Sequence, residues 1–149
     1  MITFKKGNIF DSKCQTLVNT VNCKGVMGKG LALQFKEQYP EMFEEYKLAC
    51  EKKKILEGGD MWIWKFNDMF EPRKILCFAT KEDWRNPSKI EWIEKGLRLF
   101  SYHYKLMGIK SIAWPKLGCT NGGLNWEKDV KPLMIKYLEN IDIECEIYE

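Results

Sequence analysis

Two glycine-rich segments carry the residue types best suited to chemistry in this chain of 149 residues. The first runs from Asn22 to Gly30 and holds three glycines within six residues, and the second runs from Gly118 to Gly123. Glycine lets the backbone approach a phosphate closely, and the N–H groups of a tight turn or a helix N-terminus bind anions. Two such segments in one small domain indicate an anion site, with a diphosphate held between them.

Each segment also has a simpler interpretation. The first could be a tight connection between a strand and a helix, and the second an ordinary Asn-Gly turn. A P-loop is excluded for the first segment. That motif would need a glycine five residues before Gly28 and a serine or threonine after Lys29, and the chain has Cys23 and Gly30 there.

The other candidate functional residues are single polar side chains near the ends of apolar runs. Lys81 follows the run 75–79 and should project at the same edge as the loops, although most lysines are solvated surface residues. A buried asparagine must find partners. We expect Asn19 to fix a neighbouring loop and Asn22 to meet a ligand hydroxyl or the loop. Trp84 could cover the following helix, and His103 has no companion that would give it a role.

The elements that must position these residues alternate between strands and helices. Strands are predicted at 2–10, 16–22, 61–66, 75–79, 111–117 and 143–148. Helices are predicted after the first glycine-rich segment, at Pro40 as a first helical residue, at Ser88 in a capping box with Glu91, and from about 125 to 140. Gly108 should close the third helix. This order predicts an α/β fold with a mostly parallel sheet, which binds ligands at the carboxyl ends of its strands.

The composition is that of one globular domain, here residues 1–149. Hydrophobic residues make up 45% of the chain, and the net charge of +3 suits an anionic ligand. Neither a signal peptide nor a membrane-spanning run is visible, so we expect a cytoplasmic protein with no membrane association. No pair of the six cysteines has CxxC spacing, so we expect no metal.

Four motifs in register resemble the macrodomain family. The run from Val18 to Phe35 looks like its first binding loop, and is more closely similar to the macrodomain of DarG-type antitoxins, which are DNA ADP-ribosyl glycohydrolases. Residues 7–10, 80–85 and 115–126 fit the same group in the same order. The resemblance covers nearly the whole chain and implies a three-layer α/β/α fold with a mixed sheet.

The resemblance also implies that ADP-ribose lies across the carboxyl ends of the strands. Many macrodomains have an aspartate where this chain has Asn8, so Asp11 could take over the contact with the adenine amine. The ligand-binding residues that the resemblance implies are Asn8, Ile9, Asn19, Asn22, Gly25, Val26, Met27, Gly28, Lys29, Gly30, Thr80, Pro115, Leu117, Gly118, Cys119, Thr120, Asn121, Gly122, Gly123 and Leu124.

By the same resemblance, Lys81 is the catalytic residue, as nucleophile or as general acid, and Asn22 positions the distal ribose. Trp84 and Arg85 could contact nucleic acid. Related enzymes that act on ADP-ribosylated proteins use an aspartate in the second loop. Residues 120–123 contain no carboxylate, which favours the branch that acts on DNA bases.

The expected function is therefore hydrolysis of the bond between ADP-ribose and a DNA base, with thymine the first choice. This reaction would reverse the modification made by a DarT-type transferase, without a cofactor, and we expect a monomer acting on single-stranded DNA. Three alternatives stay open. They are a reader that binds ADP-ribose without turnover, a hydrolase of protein ADP-ribose esters or ADP-ribose 1″-phosphate, and a generic dinucleotide-binding domain.

Overall fold

The fold was analysed in a computed structural model, which describes residues 1–69 and 71–149. The strands are β1 (Ile2–Lys5), β2 (Thr16–Val21), β3 (Met61–Asp68), β4 (Glu71–Ala79), β5 (Ser111–Trp114) and β6 (Glu144–Tyr148). The helices are α1 (Gly30–Gln38), α2 (Pro40–Glu51), α3 (Ile90–His103) and α4 (Lys131–Leu138).

The strands form one sheet in the order β1-β6-β5-β2-β4-β3. Only the β3–β4 pair is antiparallel among these described pairings. The mixed, mostly parallel sheet predicted from the sequence is confirmed. Because β2, β4, β5 and β6 point the same way, their carboxyl ends meet at one edge.

Helices cover both faces of the sheet. In β4, Ile75, Cys77 and Ala79 pack toward α1 and α2, whereas Leu76 and Phe78 pack toward α3 and α4. A strand buried on both faces needs apolar residues at every position, which is why 75–79 is a continuous apolar run. The three-layer α/β/α arrangement is therefore confirmed.

Two strands are shorter than predicted by more than one residue. The chain leaves β1 at Lys5, because Gly7 adopts a φ of +112° and residues 9–11 form a 3-10 turn. The Asn8 side chain caps that turn by accepting a hydrogen bond from the Phe10 N–H at 2.9 Å. β5 ends at Trp114, because Pro115 has no N–H to donate to the sheet. The predictions of a strand to residue 10 and of another to residue 117 are wrong.

The helix starts were predicted with mixed success. Pro40 is the first residue of α2, as expected. The capping box at Ser88 is wrong, because Lys89 is the N-cap of α3 and makes no side-chain cap. The helix predicted from about 125 begins instead with a π-helical turn at 126–130, which the Asn125 side chain caps, and continues as α4. The prediction that Gly108 closes α3 is wrong, because the helix ends at His103 and Gly108, with a φ of +71°, belongs to the turn that follows it.

None of the helices in residues 1–69 and 71–149 is long and apolar enough to span a membrane.

Candidate functional site

A cavity of about 760 Å³ opens at the carboxyl ends of the strands. Its walls come from the turn after β1, the end of β2, the loop leading into α1, the segment after β4, the loop after β5 and the end of β6. This volume lies within the range of about 300–1,000 Å³ that is usual for small-molecule and cofactor sites.

Most of the residues expected to bind the ligand line this cavity. They are Asn8, Ile9, Asn22, Val26, Gly28, Lys29, Thr80, Pro115, Gly118, Cys119, Thr120, Asn121 and Gly122, together with Lys81 and Trp84. Eight expected residues are not among the lining residues: Asn19, Gly25, Met27, Gly30, Leu117, Gly123, Leu124 and Arg85.

The side chain of Asn22 organises the first loop. Its Nδ2 donates to the Val26 carbonyl at 2.7 Å, and its Oδ1 accepts from the Lys24 N–H at 2.9 Å and the Val26 N–H at 3.4 Å. The Tyr46 hydroxyl donates to the Asn22 carbonyl at 2.6 Å and lies 3.1 Å from its Oδ1. Asn22 therefore shapes the loop that faces the ligand, and its amide is already engaged by protein groups.

Asn19 and Met27 support this loop from beneath. Both side chains are buried, and the Asn19 Nδ2 lies 3.7 Å from the Met27 sulfur. The Asn19 Oδ1 has no hydrogen-bond partner among the described residues. This arrangement matches the expectation that Asn19 fixes a neighbouring loop rather than the expectation of direct ligand contact.

The second loop is a compact turn set by two glycines in the left-handed region. Gly118 has a φ of +71° and Gly123 a φ of +80°. The Leu124 N–H donates to the Gly118 carbonyl at 3.0 Å and closes the turn. Ser88, which precedes α3, donates its N–H to the Gly122 carbonyl at 3.0 Å. The turn is thus held against the segment that follows β4.

Lys81 places an amine in the cavity without a carboxylate partner in the described structure. Its Nζ lies 3.4 Å from the Trp84 carbonyl, to which it donates. Burial lowers the pKa of Lys81, and the nearby Lys29 ammonium lowers it further. A lysine with a lowered pKa has a larger neutral fraction at a given pH, which suits it to nucleophilic chemistry.

The two acidic neighbours of Lys81 are engaged elsewhere. Glu82 accepts a hydrogen bond from the Gly58 N–H at 3.1 Å. Asp83 pairs with Arg85 at 2.7 Å, and the hydrogen bonds from Arg85 hold the pKa of Asp83 well below its usual range. Neither carboxylate is placed to neutralise the Lys81 amine.

Trp84 and Arg85 lie at and beyond the mouth of the cavity. Trp84 lines the mouth and is 47% exposed, so one part of its ring is open to a further ligand group. The Arg85 guanidinium lies 5.5 Å from the centre of that ring and is paired with Asp83. Arg85 therefore supports Trp84 from outside the cavity.

Sequence reasoning missed part of the lining. Nine further residues line the cavity: Gly7, Thr20, Val21, Leu31, Ala32, Gln34, Lys116, Tyr148 and Glu149. Tyr148 and Glu149 could have been found, because the end of a parallel strand reaches the ligand edge. Gln34 carries no such signal, since only the packing of α1 against the sheet turns it toward the cavity.

A mixed α/β sheet with two glycine-rich loops around a cavity at its carboxyl edge is an arrangement typical of α/β domains that bind small molecules. The family described as Macro domain matches residues 18–133, and the chain belongs to that family.

Individual members of the family are similar to the chain over nearly its full length. The chain is 41% identical over 148 residues to the DNA ADP-ribosyl glycohydrolase of Mycobacterium tuberculosis, covering 99% of this chain and 42% of that protein. It superimposes with a TM-score of 0.91 on the macrodomain of Thermus aquaticus DarG, at 39% identity, covering 100% of this chain and 98% of the other. It superimposes with a TM-score of 0.93 on Thermosipho africanus DarTG in complex with ADP-ribose, at 41% identity, covering 99% of this chain and 41% of that one. The chain spans about two fifths of the length of the curated relatives it matches.

Proposed function

We propose that this macrodomain is a glycohydrolase that releases ADP-ribose from a modified DNA base. The observation that carries the proposal is the Lys81 amine, which lines the cavity and has no carboxylate partner in the described residues. A site that only binds ADP-ribose has no need of such an amine. The names of the relatives support the same activity.

We infer one orientation of ADP-ribose in the cavity. The diphosphate lies between the two loops, where backbone N–H groups can bind it. The adenine lies toward Asn8 and Ile9, with Tyr148 nearby on the last strand. The distal ribose then points toward Lys81, with Asn22 holding the first loop beneath it.

The reaction breaks the N-glycosidic bond at C1″ of the distal ribose, where positive charge develops. In the route favoured by its lowered pKa, the neutral Lys81 amine attacks C1″. The bond to the base breaks, its electron pair leaves with the base nitrogen, and the base takes up the proton that the newly bonded Lys81 nitrogen gives up. Water then displaces the lysine and completes the release of ADP-ribose. In the second route, a protonated Lys81 donates that proton and water attacks C1″ directly.

The substrate strand lies across the mouth of the cavity. Trp84 is exposed there and can stack on a neighbouring base, and Lys29 and Lys116 line the cavity beside it. Lys24 is also exposed and extends this basic rim, where it can contact backbone phosphates. A DNA substrate is also what we expect for an enzyme that reverses the modification made by a DarT-type transferase. A base attached to ADP-ribose must leave the stack to enter the cavity, which favours single-stranded DNA.

The test is release of ADP-ribose from a single-stranded oligonucleotide carrying ADP-ribosylated thymidine. We expect release by the wild type and a loss of at least about a hundredfold in Lys81→Ala, within the contribution of a nucleophile or general acid. ADP-ribose affinity, measured by calorimetry, should be retained in the variant. The exposed Lys105 is a matched control, and Lys105→Ala should release ADP-ribose at the wild-type rate.

Two outcomes would contradict the proposal. Binding of ADP-ribose without release from either a thymidine-linked or a guanosine-linked substrate would leave the reader function. Full activity in Lys81→Ala would remove Lys81 from the chemistry.

A further inference from the structure

A second concave surface, of about 480 Å³, lies between α2 and the edge strand β3. One wall carries Leu48, Lys52 and Lys54, and the other carries Trp62 and Trp64. We call this surface the α2–β3 groove. The glycohydrolase site does not use it.

The aromatic wall of the groove is fixed in place. Trp62, Trp64 and Phe66 alternate along β3 and lie on the face that packs toward α2. The Trp64 ring stacks on Phe66 at 5.3 Å with an angle of 17° between the planes, and its indole N–H donates to Glu45. Both tryptophans are only partly buried, so the wall presents indole surface to the groove.

The other wall ends in uncompensated positive charge. Lys52, Lys53 and Lys54 follow α2 directly and are all exposed. Their ammonium groups form no ion pair with a carboxylate of residues 1–69 and 71–149. Among the residues that line the groove, Glu45 is the acidic one, and the Trp64 indole occupies its carboxylate.

Helix α2 forms one wall of the groove and also contacts the first loop of the main cavity. On the strand side, the Gly59 N–H donates to the Ala79 carbonyl at 2.7 Å. Met61 pairs with Phe78, so β3 begins beside the end of β4, three residues before Lys81. On the helix side, a Cβ on Gly25 of the first loop would lie 3.6 Å from the Lys47 Cγ. Lys24 precedes Gly25 in the chain, so a basic residue of the first loop lies near the helix that the three lysines follow.

We propose that the α2–β3 groove binds the single-stranded nucleic acid that flanks the modified base, an inference that rests on the proposed function. Bases stack on indole rings regardless of sequence, and lysines alongside bind the backbone phosphates. Lysines at a helix C-terminus or partly buried tryptophans are each ordinary features. Their meeting in one groove, whose helical wall also contacts the first loop of the substrate cavity, matches a track for a strand.

The experiment uses a labelled, unmodified dT12 oligonucleotide and fluorescence anisotropy at several salt concentrations. Lys52→Gln/Lys54→Gln should weaken binding at least about tenfold at 50 mM salt. It should also reduce the slope of log affinity against log salt by about 1.4, because two phosphate contacts are lost. Lys105→Gln/Lys136→Gln is the matched control. It removes the same charge from exposed positions after α3 and in α4, on the opposite face of the sheet from α2, and should bind dT12 nearly as well as the wild type.

A second pair of variants tests the aromatic wall. Trp62→Thr should weaken dT12 binding at least about fivefold, whereas Trp62→Phe keeps a ring for stacking and should retain most of the affinity. ADP-ribose binding and the thermal melt are measured for each variant, so that misfolding is distinguished from loss of contact.

The proposal is overturned if the wild type does not bind dT12, or if the two lysine pairs behave alike. A concentration-dependent dimer that Trp62→Thr abolishes, with dT12 binding unchanged, would instead assign the groove to a second copy of the chain. The groove proposal and the glycohydrolase proposal are tested independently, because dT12 carries no ADP-ribose and its binding does not require catalysis. Groove-dependent dT12 binding without release of ADP-ribose would contradict the glycohydrolase and leave the groove as a nucleic-acid surface.

Discussion

Gly30 and Asn121 lie close together where the two glycine-rich loops approach each other. A Cβ on Gly30 would lie 2.7 Å from the Asn121 Nδ2, and Gly30 has a φ of +64°, in the left-handed region. Gly30 opens α1 and Asn121 belongs to the loop after β5, so the contact joins the two sides of the cavity. The width available to a diphosphate therefore depends on a residue that does not itself line the cavity.

Replacing Gly30 by alanine should weaken ADP-ribose binding about tenfold. The side chain would strain the left-handed backbone by roughly 1–2 kcal/mol and push the Asn121 amide out of position. Calorimetry with ADP-ribose measures the effect. Gly123→Ala is the control, because Gly123 has a φ of +80° but no atom within 4 Å of its would-be Cβ. If both variants lose the same affinity, backbone strain and not the contact with Asn121 is responsible.

The lowered pKa of Lys81 predicts the pH dependence of catalysis. If the neutral amine attacks C1″, kcat should rise with pH through an apparent pKa below about 10.4, the ordinary value for lysine. Lys29→Gln removes the positive charge that helps to lower this pKa, so the Lys81 pKa should rise. The rising limb of the pH–rate profile should then move to higher pH. A limb that falls with rising pH in the wild type would favour the protonated, general-acid route.

The site was predictable to the extent that local sequence encodes it. Local sequence specifies a loop at Gly28 and at Gly118, and it specifies the end of a strand at the apolar run before Lys81. Whether a given side chain is buried in the core or lines the cavity was not predictable, because it depends on tertiary packing. Met27 points into the core beneath its loop, whereas Tyr148 reaches the cavity from the last strand. The order of elements likewise predicted the sheet, but not that β3 runs antiparallel.

Ser88 shows how a local pattern fails when tertiary contacts compete. Its Oγ is buried without a hydrogen-bond partner in the described residues, and its N–H is used by the Gly122 carbonyl. A true N-cap would lose about 0.5–2 kcal/mol in Ser88→Ala. We instead expect a change in unfolding free energy within about 0.5 kcal/mol, or a small gain, because the variant removes an unsatisfied hydroxyl. Urea denaturation decides between the two, and a loss above 1 kcal/mol would restore the capping interpretation.

Asn22→Ala should reduce both stability and ligand affinity. It removes the bonds that join Asn22 to the Lys24 and Val26 backbone, at a cost of about 1–3 kcal/mol in unfolding free energy. Tyr46→Phe removes one hydroxyl that contacts the same residue and should cost about 0.5–1.5 kcal/mol. The double variant should lose less than the sum, because the two side chains share one network. Additive losses in urea denaturation would show that they act independently.

The environment of Glu146 predicts how the unfolding free energy of the domain decreases at low pH. Its side chain is buried beside Tyr148, a residue that lines the cavity, and its Oε1 accepts from the Ser12 hydroxyl at 2.6 Å and the Tyr148 hydroxyl at 3.2 Å. Oε2 accepts from Lys5 at 3.2 Å. Burial alone would raise the pKa of Glu146, but these hydrogen bonds outweigh it and hold the pKa below its usual value.

A carboxylate with a lowered folded-state pKa stabilises the fold above its unfolded pKa, and this contribution disappears as pH falls through the folded value. Glu146→Gln should therefore lose about 1.5–3 kcal/mol in unfolding free energy at pH 7, the usual worth of hydrogen bonds to a charged group. The gap between variant and wild type should narrow below about pH 4.3, the ordinary pKa of glutamate. Urea denaturation at pH 7 and at pH 3 measures both values, with the exposed Glu139→Gln as control. A gap that stays constant with pH would mean that the shape of the side chain, and not its charge, supports Ser12 and Tyr148.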